Sequence, residues 1–121
     1  MILVDTSVWI DHLRRGNSAL VSRLERTEVV CHPFVLGEVS LGSLRRRNEI
    51  LALLSELPMA SRVNDHDVLA LVSRLDLAGR GIGWVDAHLI ASAIVDQIPL
   101  WTLDRRLALA ARAANVAGTG G

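Results

Sequence analysis

The chain is expected to adopt an α/β fold, three layers deep, with a central parallel sheet of four or five strands covered by helices on both faces. Three observations lead there. Short apolar runs alternate along the chain with amphipathic stretches of helical period, the pattern of repeated strand–helix units. The clearest runs, Ile2-Leu3-Val4 and Leu100-Trp101-Thr102-Leu103, are continuously apolar or nearly so, as strands buried on both faces must be. Half of the 121 residues are hydrophobic, with one Phe, three Trp and no Tyr, so a sizeable core must be built mainly from Leu, Val, Ile and Ala.

In chain order, residues 2–5 read as the first strand. A helix over about 6–14 ends at Gly16-Asn17, and Asn17 can cap a second helix over 18–26. Val29-Val30-Cys31 is a second strand. Pro33, suited to a first helical turn, opens a helical hairpin reaching about residue 56 with its bend at Gly42-Ser43. Residues 59–63 form a weak third strand, and Asn64 or Asp65 caps a helix to about Leu77. The glycine-rich stretch 79–83 is a loop, followed by a helix over 84–96, a strong strand over 98–103 and a last helix over about 104–115. Val116-Ala117 can add a short edge strand. One domain is expected over 1–117, with a flexible tail over 118–121.

Composition removes several function classes. Thirteen basic residues balance thirteen acidic ones, so any nucleic-acid site must be local. All thirteen basic residues are Arg, which rules out a Schiff-base lysine, a P-loop lysine and the lysine of a receiver domain. The single cysteine, Cys31, is expected to be a small buried residue. His12, His32, His66 and His88 share no metal-box spacing, and there is no Gly-x-Ser-x-Gly elbow. The glycines of 79–83 follow a helix, not the strand that a dinucleotide fingerprint needs. No leader-like start or ~20-residue apolar run is present, so a soluble cytoplasmic protein without a membrane partner is expected.

What remains is acidic. Asp5 and Asp104 close the two clearest strands, where ligands of open α/β sheets bind. Glu38 and Asp86 interrupt otherwise apolar helical stretches. Asp5 and Asp104 can equally serve as helix N-caps, but a mid-helix Glu38 can cap nothing. Two unit charges about 4 Å apart repel by roughly 4 kcal/mol at an effective dielectric of 20, so converging carboxylates would take up protons or bind a hard cation such as Mg²⁺ or Mn²⁺. Thr6, Ser7 and Thr102 lie where hydroxyls could orient those carboxylates, and Thr6 or Ser7 could instead serve in capping. Arg105 and Arg106 are candidate phosphate contacts, whereas Arg45, Arg46 and Arg47 are read as a solvated helix face. Val8, Trp9 and Leu13 form an apolar stripe beside Asp5. It is expected in the core, although an exposed Trp9 would suit a partner peptide.

The opening segment Ile2-Leu3-Val4-Asp5-Thr6-Ser7-Val8-Trp9-Ile10 resembles the start of PIN-domain ribonucleases, specifically VapC-type toxins of type II toxin–antitoxin systems. Glu38 in Leu36-Gly37-Glu38-Val39, Asp86 in Trp84-Val85-Asp86-Ala87-His88 and Asp104 in Thr102-Leu103-Asp104-Arg105-Arg106 match that family's other acidic positions in order. The resemblance implies a Mg²⁺- or Mn²⁺-dependent endoribonuclease with Asp5 and Asp86 as primary metal ligands and Glu38 and Asp104 assisting. It also implies a homodimer silenced by a cognate VapB-like antitoxin, with single-stranded or looped RNA as substrate. A structure-selective DNA nuclease and a non-catalytic PIN-like binding module are the alternatives; the first lacks support from any inserted arch, the second from the complete set of four acids.

Overall fold

A computed structural model describes residues 1–120. Three strands, β1 (Ile2–Val4), β2 (Val29–Val30) and β3 (Leu100–Trp101), form a parallel sheet in the order β2-β1-β3. Ile2 pairs with Val29 and Leu3 with Val30, while Leu3 pairs with Leu100 and Val4 with Trp101 on the other side. The chain leaves β1 in one direction to reach β2, then crosses back past β1 to reach β3. Right-handed crossovers that run in opposite directions place helices on opposite faces, and here the reversal comes only after the Met59–Cys31 bridge beyond β2. The reversal also makes the carboxyl end of β1 a topological switch point, where a crevice opens between diverging connections.

The sheet is narrower than the four or five strands expected. The strand anticipated at 59–63 is reduced to one bridge, Met59 to Cys31, and the edge at 116–117 to another, Ala117 to Leu100. Pro58 precedes the first with no amide to donate, and Ser61, Arg62 and Asn64 follow it with nothing apolar to bury. The strand anticipated at 98–103 pairs only at Leu100 and Trp101, because its end turns to cap the next helix.

Seven helices complete the chain: α1 (Thr6–Arg15), α2 (Ser18–Glu25), α3 (Pro33–Ser40), α4 (Arg47–Ser55), α5 (Asp65–Arg74), α6 (Trp84–Asp96) and α7 (Arg105–Ala113). Most start on a side-chain cap that satisfies an otherwise orphaned amide. Asn17 accepts from the amide of Leu20, Asn64 from that of Asp67, and His32 from that of Phe34, just ahead of Pro33 at the first turn of α3. The helical hairpin is there, but Arg45 and Arg46 lie in its turn, not in a helix, with Arg46 in the left-handed region at φ 54°. Helix α6 is the central one: residues 87–93 are all buried. The core joins Ile2, Leu3 and Val4 to Val8, Leu20, Val35, Leu89, Ile90 and Leu107, an aliphatic interior as the composition required. Cys31 is buried and unpaired within it.

Residues 118–120 do not dangle. The Gly118 amide bonds the Leu100 carbonyl at 2.9 Å, and Arg23 donates to the carbonyls of Thr119 and Gly120 at 2.9 and 3.3 Å. A Cβ on Gly120 would collide with the Trp101 ring, so only glycine lets the chain pass there. The last residue of the anticipated tail, Gly121, lies outside the described residues. Among the described residues no helix is long and apolar enough to cross a membrane.

Candidate active site

The carboxyl end of β1 positions the first acid. Asp5 follows Val4 and doubles as the N-cap of α1, so its backbone is held by the sheet and by the helix at once. It is the one buried acid of the four, 5% exposed. A buried carboxylate must be supplied with donors, and three converge on its Oδ2: the Ser7 hydroxyl at 2.7 Å, the Thr102 hydroxyl at 2.7 Å and the Ser7 amide at 3.3 Å. Its Oδ1 accepts no hydrogen bond among the described residues, which leaves that oxygen for something else.

Thr102 and Ser7 tie this acid to the fourth one. The Thr102 hydroxyl accepts from the Asp104 amide at 3.0 Å and lies 3.1 Å from the Ser7 hydroxyl, which accepts from the Leu103 amide at 2.9 Å. The backbone that carries Asp104 is thereby pinned to the residues that orient Asp5. Asp104 is exposed and caps α7 through the Leu107 amide at 3.0 Å. Capping and membership of the acidic group, weighed as alternatives from sequence, are therefore compatible.

Glu38 projects from the middle of α3, and its Oε1 accepts from the Thr6 hydroxyl at 2.8 Å. Asp86, in the first turn of α6, turns back to accept from the Gly83 amide at 3.1 Å. Its carboxyl titrates above the usual carboxylate range. Burial is the main cause, and the negative charges of Asp5, Asp104 and Glu38 add to it, while the Gly83 amide pulls the other way. The charges of Asp5, Asp104 and Glu38 thus all reach Asp86 across the crevice at the switch point.

Glu38, expected within an otherwise apolar helical stretch, is nonetheless exposed, as is Asp104, and Asp86 is only half-buried. Burial therefore falls on Asp5 and in part on Asp86. Among the described residues, no three His, Cys, Asp or Glu side chains are already drawn tightly enough together to hold an ion. The donor set nonetheless suits a hard cation: oxygen ligands only, one open oxygen on Asp5, and a crevice whose own charge disfavours ionisation of Asp86.

Arg105 and Arg106 are exposed in the first turn of α7, and neither has a hydrogen bond or ion pair among the described residues. Arg106 packs across Gly81, where φ is +75° and a Cβ would come within 2.9 Å of its guanidinium. The four histidines form no cluster. His32 and His88 are fully buried, with His32 Nε2 3.0 Å from the Ser92 hydroxyl and His88 Nε2 3.1 Å from Asp65 Oδ1. Trp9 is buried, 5% exposed, and its Nε1 has no hydrogen-bond partner among the described residues. It borders an apolar groove of about 510 Å³ with Leu13, Leu24, Ile50, Leu53 and Leu57.

A parallel sheet with acids gathered beyond its central strand defines a recognised class. The model of the PIN domain matches residues 2–113, and the chain belongs to the PIN-domain family. Within it, the chain is 48% identical over 118 residues to the protein named Ribonuclease VapC32 in two strains of Mycobacterium tuberculosis, covering 97% of this chain and 95% of that protein. The likeness to VapC-type toxins drawn from the four acidic motifs is thus borne out. In three dimensions the chain is similar to one in a structure of FitAB bound to an IR36 DNA fragment. That match has a TM-score of 0.64 and 22% identity, and covers 99% of this chain and 95% of that one. It speaks to the fold alone.

Proposed function

We propose that this protein is the toxin of a toxin–antitoxin pair, a Mg²⁺- or Mn²⁺-dependent endoribonuclease whose catalytic residues are Asp5, Glu38, Asp86 and Asp104. The observation that carries the reading is the gathering of four acids around one crevice, with Asp5 leaving a single oxygen unengaged. Asp5 and Asp86 are assigned as the primary metal ligands, because Asp5 is the most rigidly held acid and Asp86 the one most disfavoured as a bare anion. Glu38 and Asp104 are assigned to a second cation or to orienting the attacking water. Thr6, Ser7 and Thr102 hold those carboxylates in place by hydrogen bonds. The divalent ion, when bound, supplies the positive charge that acidifies water and offsets the charge growing on the phosphate. No side chain need act as nucleophile. Hydrolysis of the P–O3′ bond leaves a 5′ phosphate and a 3′ hydroxyl, and Arg105 and Arg106 are available to the neighbouring phosphates.

The partners follow from the same reading. A VapB-like antitoxin that places an arginine among the four carboxylates would compete with the metal through charge-assisted hydrogen bonds. The groove beside Trp9 offers apolar surface for the remainder of such a segment, and a homodimer is expected. Incubation of the purified protein with labelled single-stranded RNA and with DNA, in Mn²⁺ and then in EDTA, tests the proposal. RNA cleavage that stops in EDTA is expected. Cleavage that persists in EDTA, or cleavage of DNA alone, refutes it. If the ion binds only the folded form, Mn²⁺ at 100 times its Kd should stabilise the protein by about 2.7 kcal/mol.

A further inference from the structure

Beside the acids runs a second row of side chains that the proposed chemistry does not use. Trp84, the first residue of α6, is 43% exposed, whereas Trp9 and Trp101 are buried. Its indole stands perpendicular to the ring of His88, with centroids 4.8 Å apart at 87°. His88 is itself fully buried, held by Asp65 at 3.1 Å and by the edge-on ring of Phe34 at 4.8 Å. Above Phe34, 4.8 Å from its centroid, lies the guanidinium of Arg62. Arg62 is exposed and has no hydrogen bond or ion pair among the described residues. The indole is therefore braced on one side by His88 while the residue stays exposed to solvent.

The row shares two helices with the acids. Phe34 lies one turn before Glu38 on α3, and Trp84 lies in the same first turn of α6 as Asp86. Trp84 and His88 share one side of α6, while the Asp86 carboxylate turns back to the Gly83 amide. A strand with one phosphate at Asp86 would cross the amino end of α6, whose orphan amides favour phosphate, before its next bases reach Trp84. An exposed aromatic ring and an arginine without an ion pair, joined here through His88 and Phe34, are the combination that holds single-stranded nucleic acid, the ring by stacking and the cation at the backbone.

We infer that Trp84 is the stacking platform for a base of the single-stranded RNA flanking the scissile phosphate, with Arg62 contacting the backbone beside it. This rests on the ribonuclease reading of the acidic crevice. The two residues determine which stretches of RNA are held, and the acids perform the cleavage.

The test separates binding from chemistry. In EDTA, a short single-stranded RNA titrated into the wild type should quench tryptophan emission, and W84F should lose that quench. W84A should bind roughly tenfold more weakly and W84F within about threefold of wild type. R62Q should lower the slope of log K against log salt by about 0.7, one phosphate of single strand. In Mn²⁺, W84A should raise KM with kcat within about threefold. Equal RNA affinity for W84A and wild type, or an unchanged quench in W84F, overturns the inference while wild-type cleavage leaves the ribonuclease reading intact. A change in the solution mass of W84A also overturns it, since the ring would then lie between two copies of the chain. A wild type that neither binds nor cuts RNA refutes the ribonuclease reading itself.

Discussion

Thr102→Val puts the organisation of the crevice to a direct test. The substitution keeps the side-chain volume and removes only the hydroxyl. That hydroxyl donates to Asp5 Oδ2 at 2.7 Å and accepts from the Asp104 amide at 3.0 Å. A hydrogen bond to a charged group contributes about 1.5–3 kcal/mol. Thr102 is half-buried, so water replaces part of what is lost, and the exposed Asp104 segment can solvate its own amide. A cost of roughly 2 kcal/mol is expected. With an unfolding entropy of about 2.1 cal/mol/K per residue over 121 residues, that is a fall in Tm of about 8 °C. In an Asp5→Asn background the same bond is neutral, and Thr102→Val should then cost only about 1 kcal/mol. Thermal melts of the four proteins in EDTA at pH 7 give the comparison. Costs that agree within about 0.3 kcal/mol in the two backgrounds, the usual additivity of independent sites, would show that the hydroxyl does not act on the Asp5 charge. Activity should also fall, by about 10- to 100-fold, because Asp5 loses one of the donors that aim it.

Two further outcomes concern pH. Between 3.8 and its raised folded value, Asp86 keeps a proton in the folded chain that the unfolded chain has lost, so stability falls as pH rises through that window. Asp86→Asn removes this term: in EDTA it should melt above wild type at pH 7, with the difference gone below pH 3.8, and it should abolish cleavage; a lower Tm at pH 7 would contradict the repulsion argument. His32 behaves oppositely. Its Nδ1 accepts from the Phe34 amide, so its Nε2 carries the proton toward Ser92, and burial, with help from the charges of His88 and Arg62, pulls it from 6.5 down to about 4. The unfolded chain therefore takes up a proton first as pH falls from 6.5 to 4, and stability drops through that range. His32→Asn, which can still cap α3, should flatten this slope in urea melts at a series of pH values; an unchanged slope would assign it to other groups.

Elements defined by local chemistry were legible in the sequence. The run 84–96 was expected as a helix and is α6, because Gly83 ends a loop of glycines and apolar residues then recur around Asp86, His88 and Ser92. Asn17 and Asn64 cap the helices anticipated for them, since an Asx side chain needs only the amide three residues on. The family was legible as well, because each of the acidic motifs that point to it lies within one short stretch of strand end or helix.

Relations between distant residues were not legible. The bond from Thr102 to Asp5 spans 97 positions, and it decides which oxygen of Asp5 remains open. Exposure of Glu38 depends on what α3 packs against, which the apolar residues beside it in the chain do not reveal. Where Met59 and Ala117 pair at one residue each, strand length was set by the partners available at a sheet edge. The brace of Trp84 is built from Phe34 on α3, Asp65 at the start of α5 and His88 on α6. Backbone propensities and caps act over a few residues and can be read in order along the chain. Burial, charge repulsion and ring contacts depend on distances through space, and those exist only once the chain has folded.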